Sequence, residues 1–143
     1  MKISTKGRYA LRTMLDLALH DQGSLIPLKE ISNRQGVTIK YLEQVMNLLS
    51  KAGYVRSVRG AGGGYRLAKA PSEYKIGDIL RVAEGSLAPI ACLEDEINQC
   101  QRYEECLALE FWEGLADAIN TYVDSITLED LLNQSRDRHV KNE

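Results

Sequence analysis

Three cysteines, Cys92, Cys100 and Cys106, fall within fifteen residues, and the rest of the 143-residue chain contains none. Their spacing is C-x7-C-x5-C, in an irregular stretch just ahead of a long helical pattern. Thiolates hold zinc, iron or iron–sulfur clusters, or serve as redox groups. An odd number of thiols argues against a structural disulfide, because pairing leaves one over. A closed zinc site takes four protein ligands, and the only histidines, His20 and His139, are distant in sequence. Iron held by three thiolates and completed by a non-cysteine group suits these donors. On the residues alone, metal or cluster ligation stands even against redox thiols or chance burial taken together. A thiol-relay enzyme is the poorest reading, with no C-x-x-C, no nearby histidine base and no pocket-forming sheet.

A second chemistry lies upstream. A helix beginning near Thr38 offers Lys40, Tyr41, Glu43 and Gln44 on its first two turns, opposite an apolar stripe. Gln bonds adenine in a bidentate pair, Glu accepts from cytosine N4, and Lys and Tyr hold phosphates or base edges. Arg56, Arg59 and Arg66 flank the glycine run Gly60-Ala61-Gly62-Gly63-Gly64, where a guanidinium can enter a minor groove or grip phosphate. The run is not a nucleotide-phosphate loop. That loop ends in Gly-Lys-Ser/Thr at a helix start, whereas this one leads into strand-like Tyr65-Arg66-Leu67. The bland counterpart is a three-helix core with a hairpin used for protein contacts.

Positioning these groups requires a definite order of elements. Periodicity predicts a helix from about Thr5 to His20, with Ala10, Met14, Leu17 and Ala18 inward and Arg8 and Arg12 on another face. A short helix over Leu28–Arg34 follows Pro27, Gly36 turns the chain, and Thr38 caps a third helix reaching about Ala52. Two short strands, Tyr54–Arg59 and Tyr65–Ala68, form a hairpin, and a helix over Ile76–Glu84 comes next. From Leu107 to about Ile126, the residues Phe111, Leu115, Ala118, Ile119, Tyr122 and Ile126 form one apolar stripe. So long a stripe exceeds what a domain of this size covers alone, which favours dimerisation over a core-only role. Thr127-Leu128-Glu129-Asp130 starts a short last helix, and the polar tail from Gln134 is expected to fray.

The fold class is therefore mainly α with a small two-stranded β-hairpin wing: a winged helix-turn-helix domain plus a long dimerisation helix. Its parts divide as a DNA-binding domain (1–84), a cysteine-bearing loop (85–106), the dimerisation and last helices (107–134) and a polar tail (135–143).

Charge agrees with that division. The formal net charge is −2, but up to Ala70 twelve lysines and arginines face four acids, whereas six face sixteen in the remainder. A basic half suits a polyanion and an acidic half limits indiscriminate binding, although two ordinary solvated surfaces would look the same. The 44% apolar and 27% charged composition is that of a globular chain. Apolar runs are too short to span a bilayer and the first residues lack a signal peptide's apolar stretch, so a cytoplasmic location is expected.

The motifs Ile3-Ser4-Thr5-Lys6-Gly7-Arg8-Tyr9-Ala10, Tyr41-Leu42-Glu43-Gln44, Val58-Arg59-Gly60-Ala61-Gly62-Gly63-Gly64-Tyr65 and Ile126-Thr127-Leu128-Glu129-Asp130-Leu131 resemble the IscR-like (Rrf-two) family of bacterial transcription regulators, in the same order from Met1 to about Leu132. The resemblance implies a homodimer on pseudo-palindromic promoter DNA, its long helices crossing. It places Lys40, Tyr41 and Gln44 in the major groove, Arg59 on the wing, and at Glu43 a tuning of site choice by the bound cofactor. Thr38 and Arg56 complete the candidate DNA-binding set.

The resemblance also implies an iron–sulfur cluster on Cys92, Cys100 and Cys106, read as 2Fe-2S with 4Fe-4S kept open. Two departures stand out. The first gap is longer than the five residues of the best-known members, and Leu109 stands where one branch has its ligating histidine. Another branch takes a carboxylate from the partner subunit at the position of Arg8, which cannot ligate. Glu104, Glu105, Glu110, a group from the other subunit or a small thiol are left as the fourth ligand. The runner-up is a cluster-free regulator of the same fold, controlled by thiol oxidation or by a metabolic enzyme partner, as in the cysteine-metabolism branch.

Overall fold

The computed structural model describes residues 2–95, 97–98 and 104–141. Helix α1 (Thr5–Leu19) starts at Ser4, whose hydroxyl accepts the Gly7 N–H. Its buried residues Ala10, Met14 and Leu17 recur at helical spacing and form one wall of the core. Helix α2 (Leu28–Gln35) contributes Ile31 and stops at Gly36, which adopts the left-handed conformation (φ 66°) that glycine tolerates best. Helix α3 (Ile39–Lys51) buries Leu42, Val45, Met46 and Leu49. Ile79 and Leu80 of α4 (Ile76–Glu84) and Leu128 complete this core.

Strands β1 (Val55–Val58) and β2 (Gly64–Leu67) pair antiparallel, with Val55 opposite Leu67 and Val58 opposite Gly64. The hairpin is tied back to the segment entering α2: Tyr65 and Ile26 exchange backbone hydrogen bonds of 2.8 and 2.9 Å. Gly64 is required at this crossing, since a Cβ there would strike the Ile26 carbonyl. The Tyr74 hydroxyl accepts the Ala68 and Lys69 N–H groups and donates to the Tyr54 carbonyl at 2.7 Å, closing the base of the wing. A winged helix-turn-helix results, mainly helical with one small hairpin among the described residues.

Helix α5 (Leu109–Asp124) is shorter at both ends than periodicity predicts. Ile126 leaves the helix because its carbonyl accepts the Ile76 N–H at 2.9 Å, and Leu128 N–H bonds the Tyr74 carbonyl beside it. The expected single stripe is split. Ile119, with Val123 beside it, packs on the core, whereas Phe111, Leu115, Ala118 and Tyr122 are exposed. The last helix, α6 (Leu128–Lys141), is longer than expected, so 135–141 continue it rather than fraying. Thr127 and Asp130 cap its start reciprocally, at 2.9 and 3.1 Å.

Arg81 joins α4 to α5, meeting both Asp124 carboxylate oxygens at 2.8 and 2.9 Å and the Asn120 amide oxygen at 2.9 Å. Gly77, one turn earlier, lets the helices approach, because a Cβ there would overlap the Asp124 carboxylate. The hydrogen bonds from Arg81 hold the Asp124 carboxyl below its ordinary range, and the same bonds raise Arg81. A depressed carboxylate pKa stabilises the fold above the unfolded value of about 3.9, and that contribution is lost as pH falls through the folded pKa. The pair is partly exposed, so Arg81→Met is expected to cost about 1 kcal/mol at pH 7. In denaturant titrations the two proteins should converge as pH falls through the lowered Asp124 pKa; a gap unchanged by acid would show that the clamp is not electrostatic.

Candidate DNA interface and cysteine site

The turn before α3 is held from three sides. Ser32 Oγ donates to the Val37 carbonyl, Val37 is buried, and Thr38 Oγ1 accepts the Tyr41 N–H at 3.2 Å as the helix cap. Arg12 reaches across from α1, giving Nε to the Gln35 side-chain oxygen at 3.0 Å and Nη2 to the Gln35 carbonyl at 2.8 Å. The Arg12 guanidinium also lies over the Tyr9 ring at 4.7 Å, and that ring meets Tyr41 edge-on at 5.6 Å. These contacts set the angle at which α3 leaves the core.

Thr38, Lys40, Glu43 and Gln44 are exposed on α3. Tyr41 is half-buried, its ring packed edge-on with Tyr9. Arg56, Arg59 and Arg66 are exposed on the hairpin. Arg56 stands directly opposite Arg66 across the ladder. Like charges so placed repel, and a polyanion laid on the wing would relieve them.

Residue types alone missed the supports Tyr9, Arg12 and Gln35, which are polar groups that hold α3 instead of facing a ligand. Asn47 is a further polar residue on the exposed side of α3. It is exposed one turn beyond Glu43 and Gln44, opposite the buried stripe, and the helical period carries that signal.

The cysteine segment joins α4 to α5. Cys92 lies half-buried in the short 3-10 turn Ala91–Leu93, and Cys106 is exposed three residues before α5; both thiols are free. Cys100 lies outside the described residues. Cys92 faces a polar cleft of about 360 Å³, whose other walls include Asp95, Glu113 and Asp117. Glu104, Glu105 and Glu110 are exposed. Glu113 and Asp117, one turn apart on α5, were not anticipated on this cleft; only the segment's path across the helix reveals them. Among the described residues no three histidine, cysteine or acidic groups converge on one metal position. The donor chemistry suits a thiolate-held cluster, with two free thiols accessible on the segment.

A profile of the Rrf2 family, described as iron-dependent transcriptional regulators, matches residues 3–134. The chain belongs to the Rrf2 family. Rrf2 members are DNA-binding transcriptional regulators and not enzymes, and the winged fold agrees with this. The HTH-type transcriptional regulator IscR of Pectobacterium carotovorum is 42% identical over 133 residues, spanning 93% of this chain and 80% of its own. Two solved Rrf2-like structures superpose well. CymR, the global cysteine regulator of B. subtilis, gives a TM-score of 0.75 at 41% identity, covering 94% of this chain and 98% of its own. T. potens IscR gives 0.74 at 42% identity, covering 94% and 88%. No helix among the described residues is long and apolar enough to cross a membrane.

Proposed function

We propose that two copies of this chain bind one pseudo-palindromic promoter site in the cytoplasm, and that the cysteine segment adjusts that binding. The opposed Arg56 and Arg66 carry this reading, since a wing that pairs like charges is stabilised by a polyanion. With half-sites about one helical turn apart, each α3 enters a major groove and each wing follows the adjacent backbone or minor groove. Lys40 and the Tyr41 hydroxyl hold phosphates or base edges, Gln44 reads a base, Glu43 sets site preference, Thr38 anchors the helix start, and Arg56 and Arg59 serve the wing. Gln44→Ala and Arg59→Ala are each expected to weaken specific binding by about 1–3 kcal/mol at moderate salt, measured by fluorescence anisotropy on a promoter duplex. Unchanged affinity in both would remove them from the interface.

The partner of α5 is a second copy of the same helix. Its open stripe of Phe111, Leu115 and Tyr122 is 65%, 37% and 67% exposed, and Leu107 just before it is fully exposed. Such a stripe marks a contact surface. Phe111→Glu is expected to give folded monomers in sedimentation equilibrium; a dimer surviving the charge would assign the face elsewhere.

Cys92, Cys100 and Cys106 would hold an iron–sulfur cluster, 2Fe-2S in the first instance and 4Fe-4S otherwise, which supplies a redox- and ligand-sensitive group between α4 and α5. The IscR relatives support this reading, as does the match to a family described as iron-dependent. Anaerobic purification should yield a coloured protein with matching iron and sulfide, bleached in Cys92→Ser. A colourless wild type after reconstitution would instead favour the cluster-free reading, with thiol oxidation or a metabolic enzyme as the control. The exposed Cys106 thiol and the likeness to the oxidized form of Staphylococcus aureus CymR, 37% identical with a TM-score of 0.69, support that second reading.

A further inference from the structure

The last residue of α4 is badly placed for its own helix. A carboxylate in the final turn faces the negative end of the helix dipole. Glu84 occupies that position, and Gly85 ends the helix at φ 84°. What the carboxylate meets is the start of α1. Its Oε1 accepts the Ser4 backbone N–H at 2.8 Å and the Ser4 hydroxyl at 2.7 Å. Helix α1 has no acidic residue in its own first turn, so Glu84 supplies the negative charge that a helix N-terminus favours. Gly7 permits the approach, since a Cβ there would overlap the Glu84 carboxylate.

Glu84 is also where α4 hands over to the segment carrying the cysteines. On the other side of that contact, α1 carries Tyr9 against Tyr41 of α3 and Arg12 against the Gln35 carbonyl. Arg81, one turn before Glu84, grips Asn120 and Asp124 of α5 beyond the far end of the segment. Both ends of the segment are therefore anchored on α4, and Glu84 links α4 to the rod that sets α3.

We propose that Glu84 is a positioning residue that carries displacement of the cysteine segment into α1 and, through Tyr9 and Arg12, to the DNA-reading helix. The inference rests on the reading of that segment as the sensor. It differs from simple capping in one respect: the contact must affect the difference between two states of the segment, and not only stability.

Promoter affinity would be measured for wild type, Glu84→Ala, Glu84→Gln and Ser4→Ala, in cluster-loaded and cluster-free protein. Before and after alkylation with N-ethylmaleimide replaces that comparison if the protein is colourless. Melting temperatures are taken alongside. Wild type is expected to shift affinity about tenfold between states. Glu84→Ala and Ser4→Ala should reduce the shift to about threefold or less, and Glu84→Gln, which keeps the acceptor oxygen, should retain most of it. A Glu84→Ala protein that melts lower yet keeps the full shift would reduce Glu84 to a helix cap and overturn the proposal alone. A wild type with no shift in either comparison would overturn the sensor reading and the proposal with it.

Discussion

The buried carboxylate of Asp16 is the constraint on which the DNA-facing half depends. Only 2% of this residue is exposed, and a charge so buried is tolerable only when paired and hydrogen-bonded. Arg34 meets it in a fork, at 2.7 and 3.0 Å, and Gln35 adds a third bond at 2.8 Å. The same hydrogen bonds hold the Arg34 guanidinium above its ordinary range. Because Arg34 and Gln35 form the last turn of α2, satisfying Asp16 fixes where α2 ends relative to α1. Gln35 then presents its carbonyl and side-chain oxygen to Arg12, one turn before Asp16 on α1. The turn at Gly36 and the launch of α3 follow from that closed polar circuit. Removing Arg34 would strand the buried Asp16 charge, so the angle of α3 is defined more sharply than apolar packing alone would make it.

Sequence reasoning reached the elements more readily than the links between them. The bounds of α4 agree with the periodic reading at both ends, and α1 to α3 agree within a residue, because local caps set them: Ser4, Gly36 and Thr38 act on their own neighbours. The C-terminal end of α5 depends on Ile126 pairing with Ile76, fifty residues away in the chain, and no local pattern encodes that choice. Arg8 and Arg12 look alike in sequence. One is exposed, while the other folds inward over Tyr9 and Gln35. Asp16 counted only as one of four acids in a basic half, yet its burial organises that half. On α3, residue type and helical period sufficed to put Lys40, Glu43 and Gln44 on the exposed side, whereas the half-burial of Tyr41 needed the neighbouring Tyr9 ring.

The charge asymmetry acquires a structural meaning once Asp16 is removed from the surface. Its negative charge is neutralised internally by Arg34, so the exposed basic groups of the first half are opposed by fewer surface acids than the sequence count suggests. Lys40 on α3 and the opposed arginines of the wing lie on exposed elements of this half. The acids of the second half include Glu113 and Asp117 on the cysteine cleft and Glu129 and Asp130 at the start of the last helix. The chain is thus electrically divided, with exposed basic groups suited to a polyanion in its first half and a thiol-bearing acidic cleft in its second.

Helix α4 connects these halves in the chain and is held on several sides. Its buried residues Ile76, Gly77, Ile79 and Leu80 pack into the common core, and the pairing of Ile76 with Ile126 clips its first turn to the chain leaving α5. Close-packed interiors shift between discrete arrangements instead of deforming continuously. A rearrangement of the cysteine segment therefore has two outlets, the α5 face held by Arg81 and the α1 N-terminus held by Glu84. The first leads to the open stripe of Phe111, Leu115 and Tyr122, where the spacing between two copies would be set. The second leads to Tyr41 and the tilt of α3. Spacing and tilt are the two quantities that decide whether a symmetric pair of recognition helices fits half-sites about one turn apart. One short helix touches both routes, so on the proposed reading a small change near the cysteines would alter site choice without altering the fold.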